Sequence, residues 1–272
     1  MCRAALRPDA PRRRWACDAG HSFDVAREGY VNLLIAGQRR RHQPGDSADM
    51  VDARRRFLAT GGYDPVTDAL ARVAAGAGGR MVLDVGCGEG RHTRGVAAAL
   101  RDDGAVVAAV DVAKRAVRLA ARADPHGSYA VATAGDLPVR SAAVDVVLDV
   151  FGPLLAAELA RVVRPGGTVI AAHPGPRHLA SLRALVYAEA RPHEVKIPLR
   201  DAPDWFETTG SETVTFPLVI ADAGVLADLF AMTPYRWHAP PDIAARLTDA
   251  AVGGFATEVD VVITTCRRTP RP

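Results

Sequence analysis

The chain has 272 residues, 49% of them hydrophobic, and a formal net charge of +3, enough for one large domain or for an ordinary domain with a small companion. No signal-peptide pattern opens it, and no apolar run nears the roughly 20 residues that cross a bilayer, so the reading excludes membrane insertion and expects a cytoplasmic protein. The four cysteines, Cys2, Cys17, Cys87 and Cys266, are scattered singly; they do not form the framework of a disulfide-stapled secreted domain and are expected as thiols.

The first sixty residues hold twelve arginines against seven Asp or Glu. Arg12 to Arg14, Arg39 to Arg41 and Arg54 to Arg56 form three clusters of guanidinium forks, which suit an anionic partner such as nucleic acid. "CDAGH" sets Cys17 and His21 at a Cys-x3-His spacing, half of a zinc site. "DSADMVDARRRFLAT" reads as a helix capped by Asp46 or Ser47 and ended at Gly61–Gly62. "AAGAGG" (74–79) reads as a short connection. The chain is expected to divide near residue 40, with a small basic module at 1–40 and an α/β domain at 41–272.

From Met81 onward, short β-rich runs alternate with helical stretches: 81–85, 105–111, 128–134, 144–150 and 167–173 are expected strands. That order specifies a doubly wound parallel sheet covered on both faces. Two late β-rich runs, 211–220 and 255–266, complete a seven-stranded, mostly parallel sheet whose last strand is antiparallel.

"VLDVGCGEGRHT" carries most of the chemistry. Asp84 ends the first strand, and Gly86, Gly88 and Gly90 follow at alternate positions, where the missing side chains let a ligand lie against the loop. The pattern G-x-G-x-G departs from the dinucleotide fingerprint, whose third glycine would be Arg91. An acidic residue ahead of the loop disfavours a pyrophosphate and tolerates the cationic ammonium and sulfonium of S-adenosylmethionine. The turn resembles that of class I, Rossmann-like methyltransferases. Asp111 closes the second strand, where a carboxylate can accept ribose hydroxyls. Asp136 and Leu137 follow the third, placed to reach the adenine amino group and to pack on its ring. "LARVVRPGGTVI" (159–170) supplies the helix, Pro-Gly-Gly turn and fifth strand of the same class. Cys87 reads as a packed small residue.

Several stretches together resemble the RlmA-type 23S rRNA guanine-N1 methyltransferases, a family that includes macrolide-resistance members: "CDAGHSFDVAREGYVNLL", "PGDSADMVDARRRFLATGGY", "LDVGCGEG", "ELARVVRPGG", "HPGPRHL" and "MTPYRW". The resemblance implies a zinc-ribbon module that helps hold a 23S rRNA hairpin, followed by a catalytic domain. It implies cofactor contacts at Tyr63, Gly88, Glu89 and His178. It also implies that Cys2, in "MCRAAL", joins Cys17 and His21 as a zinc ligand, with the knuckle's other cysteine expected upstream of Met1; the alternatives are that this ligand is lost and zinc binds poorly, or that His42 substitutes for it.

Transfer to guanine N1 requires a group that takes the N1 proton or stabilises the base that forms. Asp149, at the end of the fourth strand just before "FGP", is the candidate, with Phe151 placed to stack on a flipped base and Pro153 to shape the pocket. Trp237 and His238 read either as closing that pocket or as core packing. Two other readings stay open: a methyltransferase of a small natural-product substrate on the same scaffold, and a non-catalytic RNA-binding protein. A homodimer is compatible with all three.

Overall fold

A computed structural model describes residues 4–9, 13–34, 45–187, 189, 192–194 and 197–270. Cys2, Arg12, the Arg39–Arg41 cluster and His42 lie outside the described residues.

The chain opens on a small antiparallel meander, β1 (Arg7–Asp9), β2 (Arg14–Ala16) and β3 (Ser22–Asp24), with Trp15 opposite both Pro8 and Phe23. A two-residue strand, β4 (Val31–Asn32), then leaves the meander and pairs parallel with β7 (Ser128–Val131). The remaining elements are α1 (Ala48–Leu58), α2 (Asp64–Ala77), β5 (Met81–Val85), α3 (Arg91–Ala99), β6 (Val106–Asp111), α4 (Lys114–Ala123), β8 (Val144–Val150), α5 (Ala156–Val162), β9 (Val163–Pro174), α6 (Ala180–Val186), β10 (Phe206–Ile220), α7 (Ala223–Ala231), a 3-10 turn (Pro234–His238), α8 (Ile243–Ala251) and β11 (Phe255–Arg268).

Among the described residues the large sheet has eight strands in the order β10-β11-β9-β8-β5-β6-β7-β4. Its central strands pair parallel, and β11 runs antiparallel to both neighbours. The count exceeds the expected seven by β4. Sequence reasoning assigned that segment to the basic module because two residues carry no strand periodicity of their own. Tyr30 and Leu34, which flank β4, pack with Cys87, Ala109, Val117 and Tyr129, and Glu28 pairs with Arg122 of α4 at 3.0 Å. The basic module therefore buttresses the back of the glycine-rich loop.

The strands obey the burial logic of a two-faced sheet. In β5, Val82 joins the core formed with α2, α6 and α7, whereas Leu83 and Val85 join the opposite core with Leu159, Val162 and Phe206. In α1, Ser47 is the N-cap and accepts the Met50 N–H at 3.3 Å. The reading of 74–79 as a connection is corrected at its start: α2 runs through Ala77, because Val66, Leu70 and Ala74 present a buried stripe at helical spacing. No helix among the described residues is long and apolar enough to cross a membrane.

Candidate active site

All parallel strands present their carboxyl ends to one edge, and a cavity of about 800 Å³ opens there, in the size range of small-ligand sites. Tyr63, Asp84, Gly86, Gly88, Glu89, Asp111, Asp149, Phe151 and His178 all line it. Asp136 and Leu137 do not. Leu137 is buried among Ala132, Val144 and Leu159, its N–H donating to Glu158 at 2.6 Å, and Ala132 and Ala134 form the wall where those two residues were expected.

The glycine-rich loop leaves β5 and turns over β6. The Gly86 and Cys87 N–H groups donate to the Val110 carbonyl at 2.8 and 3.0 Å, which forces the turn. Gly86 adopts φ 82° and Gly88 φ 57°, the left-handed region that favours glycine. A Cβ at Gly86 would meet no atom within 4 Å and would stand in the open cavity. Asp111 fastens the loop: its Oδ2 accepts the Gly88 N–H at 2.9 Å and its Oδ1 the Ala113 N–H at 2.7 Å. Burial raises the Asp111 carboxyl above its ordinary range. The Cys87 thiol is likewise buried and pushed up, as befits a packed residue rather than a nucleophile.

Two carboxylates at the ends of adjacent strands share an unusual state. Asp84 accepts the Thr93 hydroxyl through Oδ2, and its buried Oδ1 has no hydrogen-bond partner. Asp149 accepts the Gly152 N–H at 2.9 Å through Oδ1, and its buried Oδ2 has none. Burial pushes both up to about 7, the charges of Asp149 and Asp111 adding to the effect at Asp84. A buried carboxylate oxygen without a partner is costly unless the group is protonated or a ligand completes it. A cationic ligand beside Asp84 would satisfy it.

Phe151 adopts φ 57°, a genuine outlier for a bulky residue. Its N–H donates to Ala172 at 2.9 Å, and the turn leaves the ring 43% exposed at the mouth of the cavity, 5.7 Å from the His178 ring. His178 is fixed from behind. Its Nδ1 accepts the Asp260 N–H at 3.3 Å, so the proton of the neutral ring sits on Nε2, which faces the Tyr63 hydroxyl at 3.2 Å. Burial holds this imidazole down at about 4, hence uncharged at neutral pH. The Asp260 carboxylate in turn accepts the Arg177 N–H at 2.9 Å and the Thr215 hydroxyl at 3.2 Å, pinning the "HPGPRHL" loop to β11.

Several lining residues had no assigned role in the sequence. Arg54 lies across Gly88, pairs with Asp46 and donates to the Met232 carbonyl at 3.3 Å. His193 and Tyr235 meet at 2.9 Å with stacked rings on the same wall. The stretches "PGDSADM" and "MTPYRW" hold Asp46, Met232 and Tyr235, so a signal was present without a mechanism. Trp237 lines the cavity and is 65% exposed, which excludes core packing.

In the meander, the backbone between Cys17 and His21 closes a tight turn, with Gly20 N–H to Cys17 carbonyl and Cys17 N–H to His21 carbonyl both at 3.0 Å. Cys17 Sγ and His21 Nδ1 stand 3.4 Å apart. Two ligands on a tetrahedral zinc, at Zn–S about 2.3 Å and Zn–N about 2.0 Å, would be separated by about 3.5 Å. The pair thus fits one edge of a zinc tetrahedron. No group of three or more metal-ligating side chains occurs among the described residues; Cys2 falls outside them.

The sheet order with its one antiparallel strand, together with a glycine loop between buried aspartates, defines a class I methyltransferase. The family model described as "Methyltransferase domain" matches residues 82–167, and the zinc-ribbon model described as "RlmA, N-terminal" matches residues 1–41. The chain is 40% identical to the 23S rRNA (guanine(748)-N(1))-methyltransferase of Streptomyces fradiae, over 99% of this chain and 95% of that one. It is 39% identical to a Micromonospora griseorubida protein provisionally described as a 23S rRNA (guanine-N(1)-)-methyltransferase, over 93% and 88%. The YcgJ protein of a Bacillus shares the fold at a TM-score of 0.50 and 14% identity, covering 74% of this chain and 98% of that one. The chain belongs to the 23S rRNA (guanine-N1) methyltransferase family.

Proposed function

We propose that the chain transfers a methyl group from S-adenosylmethionine to N1 of a guanine in a 23S rRNA hairpin. The observation that carries this reading is the similarity to the Streptomyces fradiae enzyme over nearly the full length of both chains. The chemistry of the cavity agrees with it.

When bound, S-adenosylmethionine supplies an electrophilic methyl group. The chain's own residues bind, orient and accept a proton. The Gly86–Gly88 backbone admits the ligand against the loop, Asp111 is placed for the ribose hydroxyls, and the orphan oxygen of Asp84 balances cationic charge. Tyr63, whose oxygen accepts from His178, keeps its own proton to donate into the cavity. Glu89 is held by Arg94 at 3.3 Å and stiffens the loop. With Leu137 turned into the core, Ala132 and Ala134 are the residues proposed to face adenine. Phe151 would stack on the target guanine, and the Asp149 carboxylate would take the N1 proton as the methyl group passes from sulfur to N1 and its bond to sulfur breaks. A carboxyl held near 7 is matched to that task at neutral pH.

The proposed division of labour keeps residues 1–40 as the RNA-holding ribbon, with Cys17 and His21 as two of its zinc ligands and the metal in a structural role, and 41–272 as the catalytic part. Primer extension on 23S rRNA from cells with and without the gene tests the whole reading. A gene-dependent stop at one guanine is expected, because N1 methylation blocks base pairing; no such stop would remove the rRNA assignment.

A further inference from the structure

Trp237 is the largest cavity-lining side chain that the mechanism leaves unused. It sits on the cavity rim at 65% exposure, an uncommon state for a residue that usually buries most of its surface. The ring is nevertheless held. The preceding Tyr235 is buried and bonded to His193 at 2.9 Å, and Pro234 opens the short 3-10 turn that carries both aromatics. The Arg236 guanidinium lies 5.2 Å from the Trp237 ring centroid. That covers one face with a cation and leaves the rest of the ring to solvent.

A fixed, solvent-facing indole backed by a guanidinium has the chemistry of a nucleobase platform: every base offers a π-face, and the arginine adds attraction for the neighbouring phosphates. Arg54 and Arg91 line the same cavity, each paired with a carboxylate, Asp46 and Asp64, so the cation that the platform itself presents is Arg236. Trp237 does not compete with Phe151 for the target. A guanine whose N1 reaches Asp149 must enter beside Phe151, two residues away, whereas Trp237 stands on the outer rim. Resting on the reading that the substrate is a 23S rRNA hairpin, we infer that Trp237 stacks on the nucleotide adjacent to the methylated guanine and holds the RNA strand open at the mouth of the cavity.

The test uses the full chain, a transcribed 23S rRNA hairpin, and Trp237→Ala and Trp237→Phe. Because the ring is mostly exposed, both variants are expected to fold and to take up S-adenosylmethionine as the parent does. Trp237→Ala should raise KM for the hairpin about five- to a hundredfold, the range of one lost base–aromatic stack, and Trp237→Phe should recover most of it. An abasic site at one neighbour of the target guanine should cost the parent a similar factor and cost Trp237→Ala nothing further. An unchanged KM in Trp237→Ala, or abasic and tryptophan effects that simply multiply at both neighbours, would overturn the inference. A parent chain that binds S-adenosylmethionine but leaves the hairpin unmethylated would instead bring down the proposed function, and the inference with it.

Discussion

Tyr63 and His178, 115 positions apart in the chain, meet through Oη and Nε2 at 3.2 Å in a buried contact. The Asp260 N–H occupies the other ring nitrogen, so the direction of the bond is set: His178 donates and Tyr63 accepts. Tyr63→Phe should therefore strand a buried N–H and lower stability by about 1–3 kcal/mol. It should also weaken uptake of S-adenosylmethionine by about tenfold, because the hydroxyl that faces the cavity is gone. Denaturant melts and calorimetric titration of the variant check both outcomes.

Asp149→Asn keeps the acceptor for the Gly152 N–H and removes the proton acceptor. The turnover number should fall by about two to four orders of magnitude, with binding of S-adenosylmethionine little changed. In the parent, the deprotonated form is the active one, so the rate should rise as pH climbs through about 7 and level off above it. Steady-state rates from pH 5.5 to 8.5 would show this, and a flat profile would count against Asp149 as the proton acceptor.

The same carboxyl groups bear on stability. Asp84 and Asp149 hold their protons to about pH 7 when folded, against an ordinary value of 3.8. Between those values the folded chain binds more protons than the unfolded one, so the contribution of these groups is full below pH 4 and is lost as pH rises through 7. Asp84→Asn should consequently stabilise the ligand-free chain at pH 8, by about 1–3 kcal/mol, and do much less at pH 4.5. Urea melts at the two pH values give the comparison.

Gly95, on α3, has no room for a methyl group. A Cβ there would lie 2.3 Å from Cγ2 of Thr67 on α2, and Thr67 is held by the Tyr63 carbonyl at 3.4 Å and the His92 ring at 2.9 Å. Gly95→Ala should destabilise by about 1–3 kcal/mol through overpacking, even though alanine is the better helix former by about 1 kcal/mol. A raised melting temperature would show that α2 and α3 can separate at no cost.

Metal removal should separate the two functions. Chelation, or Cys17→Ser, is expected to lower bound zinc and weaken hairpin binding while S-adenosylmethionine binding persists, because Asp84, Asp111 and the glycine loop stand in the large sheet. Metal analysis with paired RNA and S-adenosylmethionine titrations reads this directly.

Much of the site is legible in the sequence. Asp84, Gly86, Gly88 and Asp111 follow from a strand that must end, turn and feed a helix, and each of those steps is local. Leu137 shows where such reasoning stops. Position after a strand puts it near the cofactor edge, but the Glu158 carboxylate and the core around Leu159 draw it inward. For Trp237 the sequence left pocket closure and core packing both open, and only its exposure on the cavity decides between them.

The chain's own order of residues determined the alternation of strands and helices, the antiparallel last strand, the glycine loop and the Cys-x3-His turn, because hydrophobic period, turn chemistry and metal-ligand spacing act over a few neighbouring positions. Tertiary structure alone decided that β4 would leave the meander to seal the sheet edge, that Asp84 and Asp149 would each keep one unpartnered oxygen, and that His178 would find Tyr63. Those outcomes depend on which surfaces exclude water together, and residues a hundred positions apart have no local term that could specify it.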